Sequence, residues 1–166
     1  FWGLAGDDTF NGGAGEDIMH YGEDYLRGGT AGVTVNLFNQ MGIDGYGNTD
    51  TLISVEHVHG TAQADSLTGD NNANRLFGED GNDLLVGHGG QDVLVGGAGN
   101  DTLRGGEAHD ELVGDAGNDT LDGGEGHDIA RYRDDVSGIS ADLLTQRVTD
   151  GYGDTDVLAG IEGIHG

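Results

Sequence analysis

A spacing of nine residues governs this chain. From Gly60 to Arg131, eight units follow one another without a gap: GTAQADSLT, GDNNANRLF, GEDGNDLLV, GHGGQDVLV, GGAGNDTLR, GGEAHDELV, GDAGNDTLD and GGEGHDIAR. Two more, GLAGDDTFN at 3–11 and GGAGEDIMH at 12–20, come before them. The shared template is G-G-x-G-x-D-x-U-x, where U is a large apolar residue. A template kept this strictly means one small unit stacked many times, since no single copy can bury its own apolar face.

Each position has a mechanical reason. Glycines at positions 1, 2 and 4 allow a tight turn through positive φ and let backbone carbonyls converge. Position 6 supplies a carboxylate at Asp8, Asp17, Asp65, Asp83, Asp92, Asp101, Asp110, Asp119 and Asp128, with Asn74 as the exception. Position 8 is apolar at Leu67, Leu76, Leu85, Leu94, Leu103, Leu112 and Leu121, and then Ala130. Side chains two apart in a strand face the same way. Positions 6 and 8 therefore face inward, the Asp at the mouth of the strand and the Leu in the core. A disordered acidic linker has no reason to keep Leu in register.

The composition sharpens the problem. Gly supplies 35 of 166 residues, and the formal net charge is −25, with 31 acidic against 6 basic residues. Leu, Ile, Val and Phe together make up about 22%, close to the range in which chains stay unfolded unaided. Such a chain repels itself, and its glycines lose much entropy on ordering. Excess carboxylates point to a hard cation with oxygen ligands, which suits Ca²⁺. Nucleic acid and anionic membranes are poor partners at this charge. No apolar run approaches a membrane span. With no Cys, disulfides and Cys-ligated zinc are excluded.

The ten units resemble the RTX, or haemolysin-type, family of calcium-binding nonapeptide repeats. The resemblance implies an all-β fold, a right-handed parallel β-roll (β-solenoid) with two nonapeptides per turn. It also implies Ca²⁺ between turns two units apart, held by position-6 Asp side chains and by backbone carbonyls. Carried onto this sequence, the carbonyl-bearing turn glycines include Gly81, Gly97, Gly99, Gly117, Gly124 and Gly126. One side stacks Asp65, Asp83, Asp101 and Asp119, and the other Asn74, Asp92, Asp110 and Asp128. Three gaps per side imply about six ions in 60–131, enough to offset about half of the formal charge of −25. The best sites are expected between Asp83 and Asp101 and between Asp101 and Asp119. Ala108 replaces the position-4 Gly beside Asp110 and weakens the expectation there. The Asn74–Asp92 gap is expected to be empty. The resemblance further implies a secreted protein, extracellular or at the cell surface, exported unfolded by a type I system of a Gram-negative bacterium.

A longer duplication overlies the short one. Residues 3–21 match 114–132, and 30–60 match 136–166, with Tyr25–Gly29 present only in the first copy. The organisation read from this is the end of a preceding repeat block at 1–20, a longer irregular β segment at 21–59, the eight-unit roll at 60–131, and a second irregular segment at 132–166. The chain is read as a fragment of a longer tandem array. Val33, Val35 and Leu37 alternate, as do Ile139, Ala141 and Leu143, so short strands are expected there. The irregular segments are expected to be enlarged solenoid turns. Asp50 and Asp156 sit in D-x-U triplets like those of the repeat and count as metal candidates. Asp44, Asn48 and Asp50, with counterparts Asp150, Asp154 and Asp156, form a candidate cation loop. Polar turns capped by their own Asp side chains are the alternative.

The remaining features are weaker. His57 and His59 share a strand face, and His109 and His127 occupy position 5 of neighbouring rungs. One outward sheet face carries Phe77, Val93, Val95, Val113 and Ile129, a surface that a flanking domain or chain could cover. No H-E-x-x-H, G-x-S-x-G or Walker loop is present, and the repeat accounts for the paired carboxylates. The chain is therefore expected not to be an enzyme. Two roles for the parent protein remain open: a structural or adhesive array, or a secreted protease, lipase or polysaccharide epimerase that carries this segment as an accessory module.

Overall fold

The computed structural model describes residues 1–2, 5–22, 28–132, 137–142 and 144–166. Gly3, Leu4, Leu143 and the Tyr25–Arg27 part of the extra stretch, all named above, lie outside the described residues. The described residues form eighteen strands in two sheets, and no helix.

Two nonapeptides make one turn. The strands β7 (Ser66–Thr68), β9 (Leu84–Gly89), β11 (Thr102–Ala108) and β13 (Thr120–Gly126) stack in parallel in one sheet. In the other, β6 (His57–His59), β8 (Arg75–Asp80), β10 (Val93–Ala98), β12 (Glu111–Ala116) and β14 (Ile129–Arg131) do the same. Register follows the repeat: Leu67, Leu85, Leu103 and Leu121 are successive partners, as are Leu76, Leu94, Leu112 and Ala130. All eight are 0% exposed. The core is thus two facing columns, and each Leu is buried by the rungs above and below it rather than by its own unit.

The longer segments add strands to the same two sheets. In the first, β3 (Thr34–Asn36), β4 (Met41–Ile43) and β5 (Thr49–Ile53) form an antiparallel meander. Its ends pair in parallel, β5 with β1 (Thr9–Asn11) and β3 with β7. The second repeats this with β15 (Ser140–Asp142), β16 (Arg147–Thr149) and β17 (Thr155–Ala159), β17 lying on β13. The duplication extends to register, since Thr9 faces Thr51 and Thr120 faces Val157. The antiparallel pairs depart from an otherwise parallel roll. A short turn suffices to reverse a strand, whereas a parallel return needs the full circuit of the coil.

The two copies also show what stacking contributes. Val33, Val55 and Val58 are buried because β7 and β8 lie on the first copy. Their counterparts Ile139, Ile161 and Ile164 pack against the core but stay only partly buried. Larger side chains in the same segment are less buried, so the neighbouring rung decides burial.

Candidate metal centre

The inward Asp side chains form two ladders. In one, the Asp65 N–H donates to Asp83 Oδ1, Asp83 N–H to Asp101 Oδ1, and Asp101 N–H to Asp119 Oδ1, each at 2.8 Å. In the other, Asn74 donates to Asp92, Asp92 to Asp110 and Asp110 to Asp128, again at 2.8 Å. One carboxylate oxygen of each Asp thereby secures the turn of the preceding rung.

The second oxygen is different. Oδ2 of Asp83, Asp92, Asp101, Asp110, Asp119 and Asp128 is buried and has no hydrogen-bond partner. Carbonyls converge on the same spaces. A methyl group added to Gly96 would overlap Asp101 Oδ2 and approach the Gly114 carbonyl oxygen to 2.9 Å. Added to Gly105, it would overlap Asp110 Oδ2 and approach Gly123 O to 2.6 Å. Gly99 has φ +141°, and a methyl group there would collide with Gly81 O. The glycines therefore keep open small volumes lined by carboxylate and carbonyl oxygens, the donor set of a hard divalent cation. Leaving six buried anionic oxygens unpaired is otherwise strongly unfavourable.

The sequence-derived candidates do not all behave alike. Asp65 is saturated: Oδ1 accepts from Val33 N–H at 2.6 Å, and Oδ2 from Thr61 N–H at 2.6 Å. Asn74 is occupied too, its Oδ1 accepting from Asp70 N–H and its Nδ2 donating to the Glu56 carbonyl. Ala108 holds the turn at φ +88°, and its carbonyl lies against Gly126 as Gly81 O lies against Gly99. Gly97 and Gly117 stack on Glu79 O and Gly99 O, and Gly124 on Gly106 O. Asp8 and Asp17 are half-buried, and their N–H groups donate to Asp50 Oδ1 and Glu56 Oε2, each at 3.0 Å. Asp156 continues the first ladder, accepting from Asp119 N–H at 2.9 Å.

Sequence reasoning missed the glutamates. Glu162 ends the second ladder by accepting from Asp128 N–H at 2.8 Å, as Glu56 does for Asp17. The signal was the shared position of Glu56 and Glu162 in the duplicated segments. It also missed an outward aromatic column, Trp2–His20–His59–Phe77, with ring centroids 5.0, 4.5 and 4.2 Å apart. His59 belongs to that column and meets Glu79 at 2.8 Å. His57 is buried beside Glu16 instead, so the two do not converge on one ion. His109 Nδ1 accepts from His127 N–H at 2.9 Å, doing what Asn82 does for Asn100 on the other side. Phe77, Val93, Val95, Val113 and Ile129 lie on adjacent strands, each half-buried, and the Arg131–Glu111 ion pair interrupts them. Among the described residues, no three His, Asp or Glu side chains form a metal cluster, so any calcium site in the turns draws on backbone carbonyls as well.

Burial dominates the electrostatics. It pushes Asp83, Asp92 and Asp119 up to about 7 and Asp110 up to about 6, with neighbouring Asp charges adding to the shift. Burial also raises Asp65, Asp101 and Asp50 above the ordinary carboxylate range. Between the ordinary value near 4 and about 7, the folded chain without metal binds protons that the unfolded chain does not. Without metal, the roll is destabilised above about pH 7 and recovers as pH falls. In chelator, far-UV circular dichroism is expected to gain β-signal from pH 7.5 to pH 5; a loss over that range contradicts the assignment. Protons compete with metal, so calcium affinity should fall about tenfold per pH unit below the raised pKa values.

Comparison with known proteins agrees with this geometry. A family model described as the RTX calcium-binding nonapeptide repeat (4 copies) matches residues 1–25, 59–94 and 95–130, more than half of the chain. No curated protein matches it. The paired ladders, the glycine-lined turns and this match have one conclusion: the chain belongs to the RTX family of calcium-binding nonapeptide repeats and is a calcium-binding β-roll.

Proposed function

We propose that this segment belongs to a secreted protein, is exported unfolded, and coils into its roll on meeting calcium outside the cell. There it serves as a shape-holding unit of a structural or adhesive array and performs no catalysis itself. Asp83, Asp92, Asp101, Asp110, Asp119 and Asp128 hold the ions, one for each unpaired Oδ2, with turn carbonyls completing the shell. The observation that carries this reading is that set of six buried oxygens without a hydrogen-bond donor. Extracellular calcium modules bind at about 10⁻⁴–10⁻³ M, a range that leaves such a chain open in a cytosol and closed outside. The duplicated segments, stacked in matching register, favour an array.

Two isosteric variants test the ligand assignment by counting bound ions in equilibrium dialysis. Asp101→Asn keeps an acceptor for the Asp83 N–H but removes a charge from an unpaired oxygen, and should reduce the tightly bound ions by one. Asp65→Asn should leave the count unchanged and lower stability by about 1–3 kcal/mol, through the bonds to Val33 and Thr61. Equal loss of calcium in both variants would refute the assignment.

A further inference from the structure

The duplicated loop DGYGNTD at 44–50 and DGYGDTD at 150–156 differs at one position, and that position changes its chemistry. In the first copy Asp44 is buried, and both carboxylate oxygens are engaged. Oδ1 accepts from the N–H groups of Tyr46 and Asn48 at 3.0 and 2.7 Å. Oδ2 accepts from the Asn48 side-chain amide at 2.9 Å. The loop is closed by its own donors.

In the second copy Asp150 is 3% exposed, and its N–H donates to the Asp154 carbonyl as the Asp44 N–H does to that of Asn48. Its Oδ1 accepts from Tyr152, Gly153 and Asp154 N–H at 2.9, 2.7 and 2.8 Å. Its Oδ2 is buried and has no partner. The residue in the place of Asn48 is Asp154, which is half-buried and offers acceptors where the first copy offers a donor. Asp154 thus puts a second carboxylate at the position whose amide satisfies Asp44 Oδ2 in the first copy, and Asp150 Oδ2 is left buried with no hydrogen bond to satisfy it. A cation would give the unpaired oxygen a partner and balance the charge of both side chains. Hard carboxylate oxygens in a tight polar turn, with water for the remaining positions, suit calcium.

We propose that Asp150 and Asp154 hold a calcium-class divalent cation outside the nonapeptide turns, and that the first copy, with Asn48, holds none. The loop lies beside the first ladder, where Thr155 N–H donates to Asn118 Oδ1 and the Asp150 charge acts on Asp119, but Asp150 and Asp154 are not among the six ladder carboxylates, so losing this ion should leave the ladder ions in place.

The test uses the whole 166-residue chain. Calcium is counted by equilibrium dialysis, and terbium(III), which nearby tyrosine sensitises, reports the loop through Tyr152. Asp154→Asn should remove one ion and the Tyr152-sensitised luminescence while leaving the far-UV spectrum in calcium unchanged. An unchanged ion count in that variant overturns the proposal. If Asp154→Asn alters the far-UV spectrum, Asn48→Asp decides: one ion gained, with new luminescence from Tyr46, supports the site, and no gain overturns it.

Discussion

Removing calcium is expected to abolish the β-structure of this chain, and restoring it to return the fold. The terms that oppose folding are large. Thirty-five glycines lose the most backbone freedom of any residue type, and a charge of −25 is drawn into a narrow coil. The apolar return is small, with one inward Leu per nine residues. With affinities of about 10⁻⁴–10⁻³ M, each ion adds about 1.4–2.7 kcal/mol at about 10 mM calcium. The six proposed ions would together add about 8–16 kcal/mol, comparable to the whole stability of an ordinary domain at about 5–15 kcal/mol. Metal is therefore expected to decide whether the chain folds. Far-UV circular dichroism during titration with calcium, followed by excess chelator, measures this. A β-spectrum that survives the chelator at pH 7.5 contradicts it.

Leu103→Ala is expected to have the second largest effect, and it separates core from metal. Leu103 is 0% exposed, between Leu85 and Leu121 in the column, and its side chain ligates nothing. Buried Leu→Ala changes cost about 2–5 kcal/mol, and a stacked column has little freedom to collapse around the gap. Under the proposed linkage of folding to six ions, that loss is expected to appear as a higher calcium midpoint. Shared among six sites it shifts the midpoint only about two- to fourfold, while the ion count stays the same. Thr102→Ala, on the outward face of the same strand, should stay within about 0.5 kcal/mol of the native chain. If Leu103→Ala and Thr102→Ala share one midpoint, the Leu columns do not carry the stability assigned to them.

The ladders of Asp and the columns of Leu were legible because each rung meets only its neighbours. An interaction between residues eighteen apart is written into a repeat of nine, so Asp83 beneath Asp101 and Leu85 beneath Leu103 need no knowledge of the rest of the chain. The enlarged segments obey no such rule. Their strands were visible as alternation at Val33, Val35 and Leu37, but their antiparallel pairing was not. Nor was the stacking of His20 on His59, which lie thirty-nine positions apart across an irregular loop.

What the sequence by itself determined is the period, the two faces, the inward carboxylates and the need for a hard cation. These follow from local spacing and net charge. Only the tertiary structure decided which carboxylates are left for metal. Asp65 and Asp83 hold the same place in the template, yet Asp65 is saturated by Thr61 and Val33 while Asp83 keeps a bare buried oxygen. The physical reason is that availability depends on donors brought in by other turns of the coil, and neither the residue nor its repeat position carries that information.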